Sequence, residues 1–304
     1  MTPPFISFED TDPLLDWGGL TEALANGHRL PKAEIADTFL YRTPDTLLSR
    51  AAWIDGLGQA VKTATVFPEN HSQNLPAIHG AVSLFSDTTG QLDAMIDFHL
   101  VTKWKTAGDS LLAAKYLARP DSQKILLVGS GTVAGNMAAA YRSHWPEAQI
   151  TVWTRTAAHG VAFAETHGAT FNPDLQSAIK TADIICTATM STEPLIKGEW
   201  LQPGQHLDLI GAYRPDMREV DDTALKRASL FVDSYETTLD HIGELKIPLA
   251  SGTIKKGSIL ASFYEPERFK RSSPDDITLA KNGGGAHLDL MTSRYILDRW
   301  HAAD

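Results

Sequence analysis

The chain has 304 residues, with 27 Lys and Arg against 37 Asp and Glu, and a formal net charge of −10. Its 43% hydrophobic and 21% charged residues give a globular composition with a sizeable core, which excludes a disordered or fibrous chain. An acidic balance without a run of Lys or Arg argues against a nucleic-acid partner, whose phosphates would have to be neutralised.

Residues 1–107 read as a mixed module. A short helix is expected near Leu20–Asn26, then strand-like apolar runs at Thr38–Tyr41, Leu47–Trp53 and Val61–Phe67. Apolar and polar residues alternate from Gly80 to Asp97 on both sides of a Thr-Gly turn, which predicts a β-hairpin. From Lys105 the segment KTAGDSLLAAKYLA has helical spacing, and Arg119-Pro120-Asp121 ends it. This helix is expected to join two domains.

Beyond it, strands and helices alternate. KILLVGSG (124–131), ITVWTR (150–155), ADIICTAT (182–189), HLDLIGAY (206–213) and ASLFVDS (228–234) read as strands, with VAGNMAAAYRSH and AHGVAFAETHG as helices between the first of them. Short continuous apolar strands separated by helices predict an α/β domain with a doubly wound parallel sheet. After a Gly-rich break, a last amphipathic helix carries Leu288, Met291, Ile296 and Leu297 as its apolar positions. The expected division is 1–107 with 288–304 as a smaller α+β domain, and 108–287 as the doubly wound domain.

Cys186 is the one cysteine, so no internal disulfide marks an oxidising compartment. The N-terminal segment lacks the pattern of a signal peptide, and no apolar run is long enough to span a bilayer. A soluble, cytoplasmic protein is expected. No HExxH pair is present, and no metal is expected.

Gly129-Ser130-Gly131-Thr132-Val133-Ala134 forms a GxGxxA between the run Ile125–Val128 and a helix, in the order a dinucleotide-binding βαβ unit requires, so the domain is expected to be Rossmann-type. Gly129 permits the tight turn, Gly131 lets a pyrophosphate approach the helix N-terminus, and Ala134 allows close helix–strand packing. The second strand ends Trp153-Thr154-Arg155-Thr156, without the acid that would bind a ribose 2′-hydroxyl. Arg155 can pair with a 2′-phosphate, which favours NADPH while leaving NADH possible. Thr187-Ala188-Thr189 and Gly211-Ala212 follow later strands, at the carboxyl ends where open α/β sheets bind ligands. Asn282, at the start of the Gly-rich break, completes the cofactor candidates.

The segment PAIHGAVSLFSDTTGQLDAMIDFHLVTKWKTAGDSLLAAKYLARP, with LLVGSGTVA, VKTATVFPEN, PDMREVDD and DDITLAKNGGGAHLDL, resembles the ornithine cyclodeaminase/mu-crystallin family over nearly the whole chain. The resemblance implies cyclodeaminases, alanine dehydrogenases or imine reductases, usually homodimers in which the N-terminal module forms the dimer contact and the substrate floor. It makes Lys62 the substrate lysine. Lys105 stands where the family usually has an Arg, a change that keeps the charge and loses the bidentate fork. The family's upstream Arg has no clean counterpart. Arg42 is off register, and Arg50 is the substitute candidate. Cyclodeaminases carry an Asp where this chain has Tyr213, and a phenol is a poor base at neutral pH, so deaminative cyclisation is disfavoured.

The KTAGDS, NGGGAHLDL and GAYRPDMRE variants look most like the branch that reduces cyclic ketimines such as Δ1-pyrroline-2-carboxylate, to L-proline, or its six-membered homologue Δ1-piperideine-2-carboxylate, to L-pipecolate. Lys62 then holds the carboxylate and helps supply a proton, with Asp109, Tyr213 and water as the other proton donors. Asp109 also reads as a helix cap. The alternatives are an amino-acid dehydrogenase or linear imino-acid reductase, an ornithine cyclodeaminase, and a non-catalytic protein that binds NADPH and a small ligand.

Overall fold

A computed structural model describes residues 2–303, apart from the side chain of His71. The chain divides into two compact units, one of residues 1–105 with 285–304 and one of residues 106–284.

The first unit opens with β1 (Phe5–Ile6), α1 (Phe8–Thr11) and α2 (Trp17–Gly27), followed by β2 (Glu34–Arg42), β3 (Asp45–Ile54), β4 (Gly58–Val66), β5 (Ile78–Phe85) and β6 (Leu92–Asp97). These strands form a six-stranded sheet in the order β1-β6-β5-β4-β3-β2, antiparallel except for the β1–β6 pair. The three N-terminal apolar runs are all strands. The hairpin is β5–β6, with Gly90 in its turn at a φ of 66°. Period-two alternation turns Ala60, Lys62 and Ala64 of β4 to the buried face, so one position of that face carries a charge.

α3 (Phe98–Leu117) crosses the boundary between the units and begins well ahead of Lys105, where the change in composition predicts its start. Asp97 caps it, its Oδ1 accepting from the backbone N–H groups of His99 (2.7 Å) and Leu100 (3.0 Å). The aromatic and β-branched residues of FHLVTKW disguise this first stretch. Asp109 consequently lies inside the helix, wholly buried, and is not a cap.

The second unit contains β7 (Lys124–Val128), α4 (Thr132–His144), β8 (Gln149–Trp153), α5 (Ala157–His167), β9 (Thr170–Phe171), α6 (Leu175–Thr181), β10 (Ile184–Thr187), β11 (His206–Leu209), α7 (Asp222–Arg227), β12 (Ser229–Val232), α8 (Tyr235–Thr238), α9 (Gly243–Ala250), β13 (Ile259–Ser262) and β14 (Thr278–Lys281). Its eight strands are all parallel, in the order β13-β12-β14-β11-β10-β7-β8-β9. This is the Rossmann-type α/β sheet the alternation predicts. The order reverses between β7 and β10, and the crevice at such a reversal is where these sheets bind ligands. β14, absent from the sequence reading, lies in the interior of the sheet between β11 and β12.

The chain then returns to the first unit as α10 (Ala286–Ala303), which packs on α2 and across β2 to β5. Leu288, Met291, Ile296 and Leu297 are buried as their spacing predicts. His287, Asp289, Thr292 and Ser293 are buried too, so the first three turns are enclosed on every side rather than amphipathic.

Candidate active site

In the second unit the residues of the GxGxxA form a turn and a helix start. Gly129 has a φ of 119°, and a Cβ on it would stand 2.6 Å from the carbonyl oxygen of Ala188, so glycine alone fits. β7 and β10 are thereby drawn together at the crevice. Gly131 is the opposite case: a Cβ there would meet no protein atom within 4 Å. It is the N-cap of α4, a helix of 13 residues that has no side-chain cap, and Thr132 and Val133 follow it at the surface with unshielded first-turn amides. Open space in front of uncapped helix amides fits a dinucleotide pyrophosphate. Ala134 is wholly buried.

At the end of β8, Thr154 Oγ1 accepts from Ser130 Oγ at 3.3 Å. Arg155 and Thr156 are exposed, and among the described residues Arg155 makes no ion pair.

The loops after β10 and β11 are organised by a residue the sequence reading did not single out. Glu219, of the PDMREVDD segment, is wholly buried. Its Oε1 accepts from the backbone N–H (2.9 Å) and hydroxyl (2.7 Å) of Thr189, and its Oε2 from the hydroxyl of Thr187 (2.8 Å) and the N–H groups of Gly211 (3.0 Å) and Ala212 (3.1 Å). Thr187, wholly buried with its hydroxyl given to Glu219, therefore shapes the loop rather than presenting a side chain. Gly211 leaves no room for a side chain between Thr189 and Glu219.

Behind Glu219 stands a second carboxylate, Glu244 of α9, which accepts from the N–H groups of Glu219 (2.6 Å) and Val220 (3.1 Å). Burial first, and then the Glu219 charge, push the Glu244 carboxyl up to about 7. Lys281 of β14 is wholly buried nearby and donates to the carbonyls of Leu209 and Asn282, each at 2.7 Å. Burial pulls its ammonium below the ordinary lysine range, against the raising effect of Glu219, Glu244, Asp233 and Asp109. Asp109 thus belongs to the surroundings of Lys281. Asn282 is buried beside it, its amide donating to Ser110 Oγ at 2.7 Å while its Oδ1 has no partner among the described residues.

In the first unit the basic candidates gather on one row of the sheet. Register sets Arg50 of β3 directly across from Lys62 of β4, and Asp37 of β2 directly across from Arg50. Asp37 takes the guanidinium through Nε (3.0 Å) and Nη2 (2.7 Å). This pairing bears on Arg50 as a substrate-binding candidate: two of its five N–H donors go to Asp37, whose charge balances its own. Arg42 is exposed and pairs with Asp45.

Lys62 is 5% exposed and donates to Asp289 Oδ1 of α10 at 2.7 Å. Burial pulls its ammonium down to about 8. The Asp289 charge opposes that fall, and Lys105 and Arg50 deepen it. Lys105, half-buried on α3, makes no ion pair among the described residues. His28 and His287 stand edge to face with centroids 5.5 Å apart, both buried and both held neutral at physiological pH by burial. Tyr213 is 59% exposed, with the Arg214 guanidinium 5.8 Å from its ring centre.

Four residues here carry no motif of their own: Glu219, Glu244, Lys281 and Asp289. Three of them lie in the family-like segments PDMREVDD and DDITLAKNGGGAHLDL, which is the available signal.

A family model described as the ornithine cyclodeaminase/mu-crystallin family matches residues 54–304. Over 304 aligned residues, 97% of this chain and 96% of the relative, the chain is 47% identical to a Δ1-pyrroline-2-carboxylate reductase of Paracoccus denitrificans. A solved structure of the Thermococcus litoralis Δ1-pyrroline-2-carboxylate reductase, in complex with NADH and L-proline, resembles it with a TM-score of 0.88 and 25% identity, covering 98% of each chain. An archaeal alanine dehydrogenase dimer with bound NAD gives a TM-score of 0.90 at 25% identity, covering 100% of this chain and 97% of that one.

Proposed function

The chain belongs to the ornithine cyclodeaminase/mu-crystallin family, and from that membership we propose that it is an oxidoreductase that reduces a cyclic α-imino acid, Δ1-pyrroline-2-carboxylate, to L-proline. The six-membered homologue is the second substrate of the same chemistry. One observation carries the proposal: an ammonium buried in the core face of a sheet, with a lowered proton affinity, in a chain similar along its length to an imine reductase.

A nicotinamide dinucleotide supplies the hydride when bound, and the residues of the second unit fit it. Gly129, Gly131, Thr132, Val133 and Ala134 form the pyrophosphate turn. Thr154, Arg155 and Thr156 lie where the adenine-side ribose is read. Ala188, Thr189, Gly211, Ala212 and Asn282, with Thr187 beneath them, take the other end. Arg155, exposed and without an ion pair among the described residues, favours NADPH.

Reduction of a C=N bond consumes one hydride and one proton. Lys105, which makes no ion pair among the described residues, holds the substrate carboxylate, while Lys62 turns its remaining N–H bonds to the substrate and gives a proton to the ring nitrogen. A group that titrates near neutrality suits that transfer better than an ordinary lysine. Asp109, enclosed with Lys281, keeps a structural role, and Arg50 acts through its field.

Homodimers are expected, because the free edge of the first unit's sheet exposes apolar residues. Among the described residues no helix is long and apolar enough to cross a membrane. A single buried thiol, Cys186, suits a reducing cytoplasm.

The test is NADPH oxidation with Δ1-pyrroline-2-carboxylate, its six-membered homologue, and pyruvate with ammonia, each as sole acceptor, and ornithine assayed separately for proline. Turnover of the cyclic imines, with the five-membered ring preferred, is expected. Turnover confined to the keto acid with ammonia would make the chain an amino-acid dehydrogenase. Proline formed from ornithine would make it a cyclodeaminase, and NADPH binding without any turnover would make it a ligand-binding protein.

A further inference from the structure

We infer that Asp289 is a positioning residue for Lys62: from α10 it fixes the direction of the Lys62 ammonium and keeps a proton on it among buried apolar groups and two further cations, Arg50 and Lys105. The catalytic part of this inference rests on Lys62 as the proton donor. The electrostatic part stands without it.

The elements packed around Lys62 offer it little besides Asp289. On β3, directly across, is Arg50, whose neutralising carboxylate, Asp37, is engaged in its own fork. On β5, directly across on the other side, is Val82, fully buried and apolar. On α3 are the Phe98 ring, 5.5 Å from Nζ, and the cation Lys105. On α10, beside Asp289, His287 is neutral. The carboxylate of Asp289 is thus the group that both touches the ammonium and favours its charge, at 2.7 Å with the two side chains 6% and 1% exposed.

Among the described residues the Asp289 side chain makes no hydrogen bond other than the one from Lys62, while its charge also acts on Lys105 and Arg50. Its Oδ1 takes the lysine proton, and its Oδ2 has no hydrogen-bond partner among the described residues. A buried ion pair is a poor device for stability alone, since an apolar pair of similar volume serves as well or better. As a device for function it does two things. It fixes one N–H of the ammonium, so the other two take defined directions. It also offsets the burial and the neighbouring cations that pull the lysine down to about 8. When the ammonium gives its proton to an imine nitrogen, the neutral amine is left beside the Asp289 carboxylate, and reprotonation from solvent restores the pair.

The decisive comparison is between the full-length wild type, Asp289→Asn and Asp289→Glu. Lys62 is titrated by NMR with carbon-13 at lysine Cε, its signal assigned by Lys62→Arg, and the pH profile of kcat/KM for cyclic-imine reduction is measured on the same proteins. In Asp289→Asn the Lys62 midpoint should fall by about one pH unit or more. With the midpoint moved from about 8 to about 7 the protonated fraction at pH 7 falls about twofold, and with a two-unit fall about tenfold, so kcat/KM at neutral pH should fall about twofold to tenfold, in step with the measured midpoint. NADPH affinity should stay within about twofold, and Asp289→Glu should restore the midpoint and part of the rate. Where the amide variant does not fold, Asp289→Ser, which leaves room for a water beside the ammonium, serves the same comparison.

An unchanged Lys62 midpoint in a folded variant lacking the carboxylate would overturn the inference. So would a rate loss with no movement of the pH profile, since that is what a merely structural contact produces. A wild type that shows the Lys62 midpoint but turns over no cyclic imine would defeat the functional proposal, and the Asp289 inference would then stand or fall on the NMR midpoint.

Discussion

Arg155 is a single exposed side chain on which cofactor choice turns. It follows β8 with no acidic residue in Trp153-Thr154-Arg155-Thr156, and its guanidinium has no ion-pair partner among the described residues. A charge-assisted bond to a 2′-phosphate is worth roughly 1.5 to 3 kcal/mol, and exposure to solvent and salt trims the figure toward its lower end. Arg155→Ala should therefore cost about tenfold in NADPH affinity and leave NADH binding nearly unchanged, as read by cofactor fluorescence titration. Equal losses for both cofactors would show that the residue does not read the phosphate. Such a residue is legible in sequence because its role depends on what immediately precedes it in the chain. Asp289 is not legible in that way, since an Asp between apolar residues of a helix reads as a solvent-facing position until the packing of α10 is known. Arg50 shows the same limit from the other side. Its residue type suggested a carboxylate ligand, and only strand register reveals Asp37 directly opposite.

Strands with long apolar runs or clean alternation were readable as elements, and β2 to β8 and β10 to β12 all lie where their patterns put them. β14 was not, because Thr278–Lys281 has four residues, one of them a lysine, and runs into glycines. Its burial is made possible by partners far away in sequence: Lys281 is satisfied by the carbonyl of Leu209 and by the field of Glu219 and Glu244. These buried charges join α9, β11 and β14, and they carry a pH signature. Glu244 has its carboxyl raised from 4.5 to about 7, by burial first and by Glu219 second. Between those values the folded chain holds a proton that the unfolded chain has released, so stability falls as pH rises through the window, being fully present at the acid end and lost above about 7. The loss is on the order of 3 kcal/mol. Urea unfolding at about pH 5 and about pH 8 should show it for the wild type, and Glu244→Gln should flatten the difference while lowering stability at the acid end. A Gln variant with the wild-type slope would assign the dependence to another group.

For the whole molecule, a mixed sheet and a doubly wound parallel one are distinguishable in sequence because their strands differ in kind: half-buried alternation in the first, continuous apolar runs in the second. A free sheet edge is harder to read, since an apolar run says that a strand is covered and not by what. β2 is the edge strand of the first unit, and its last residues expose Phe39 by 44%, Leu40 by 60% and Tyr41 by 74%, with Leu47 of β3 exposed by 40%. Leu40 and Tyr41 are neighbours on a strand and point to opposite faces, so the end of this sheet is apolar on both sides. Edge strands of monomers are guarded by charge or proline, and here the nearest charges, Arg42 and Asp45, neutralise each other. A second copy of the chain is the covering such a strip calls for, and a stable interface of about 800 Å² per partner is within reach of paired sheet ends. Sedimentation should give a dimer for the wild type. Leu40→Glu with Tyr41→Asp, which leaves the buried residues of β3 and β4 in place, should give a monomer with unchanged circular dichroism. A wild type that sediments as a monomer at micromolar concentration would leave this strip to some other partner, and a double variant that stayed dimeric would move the interface elsewhere on the chain.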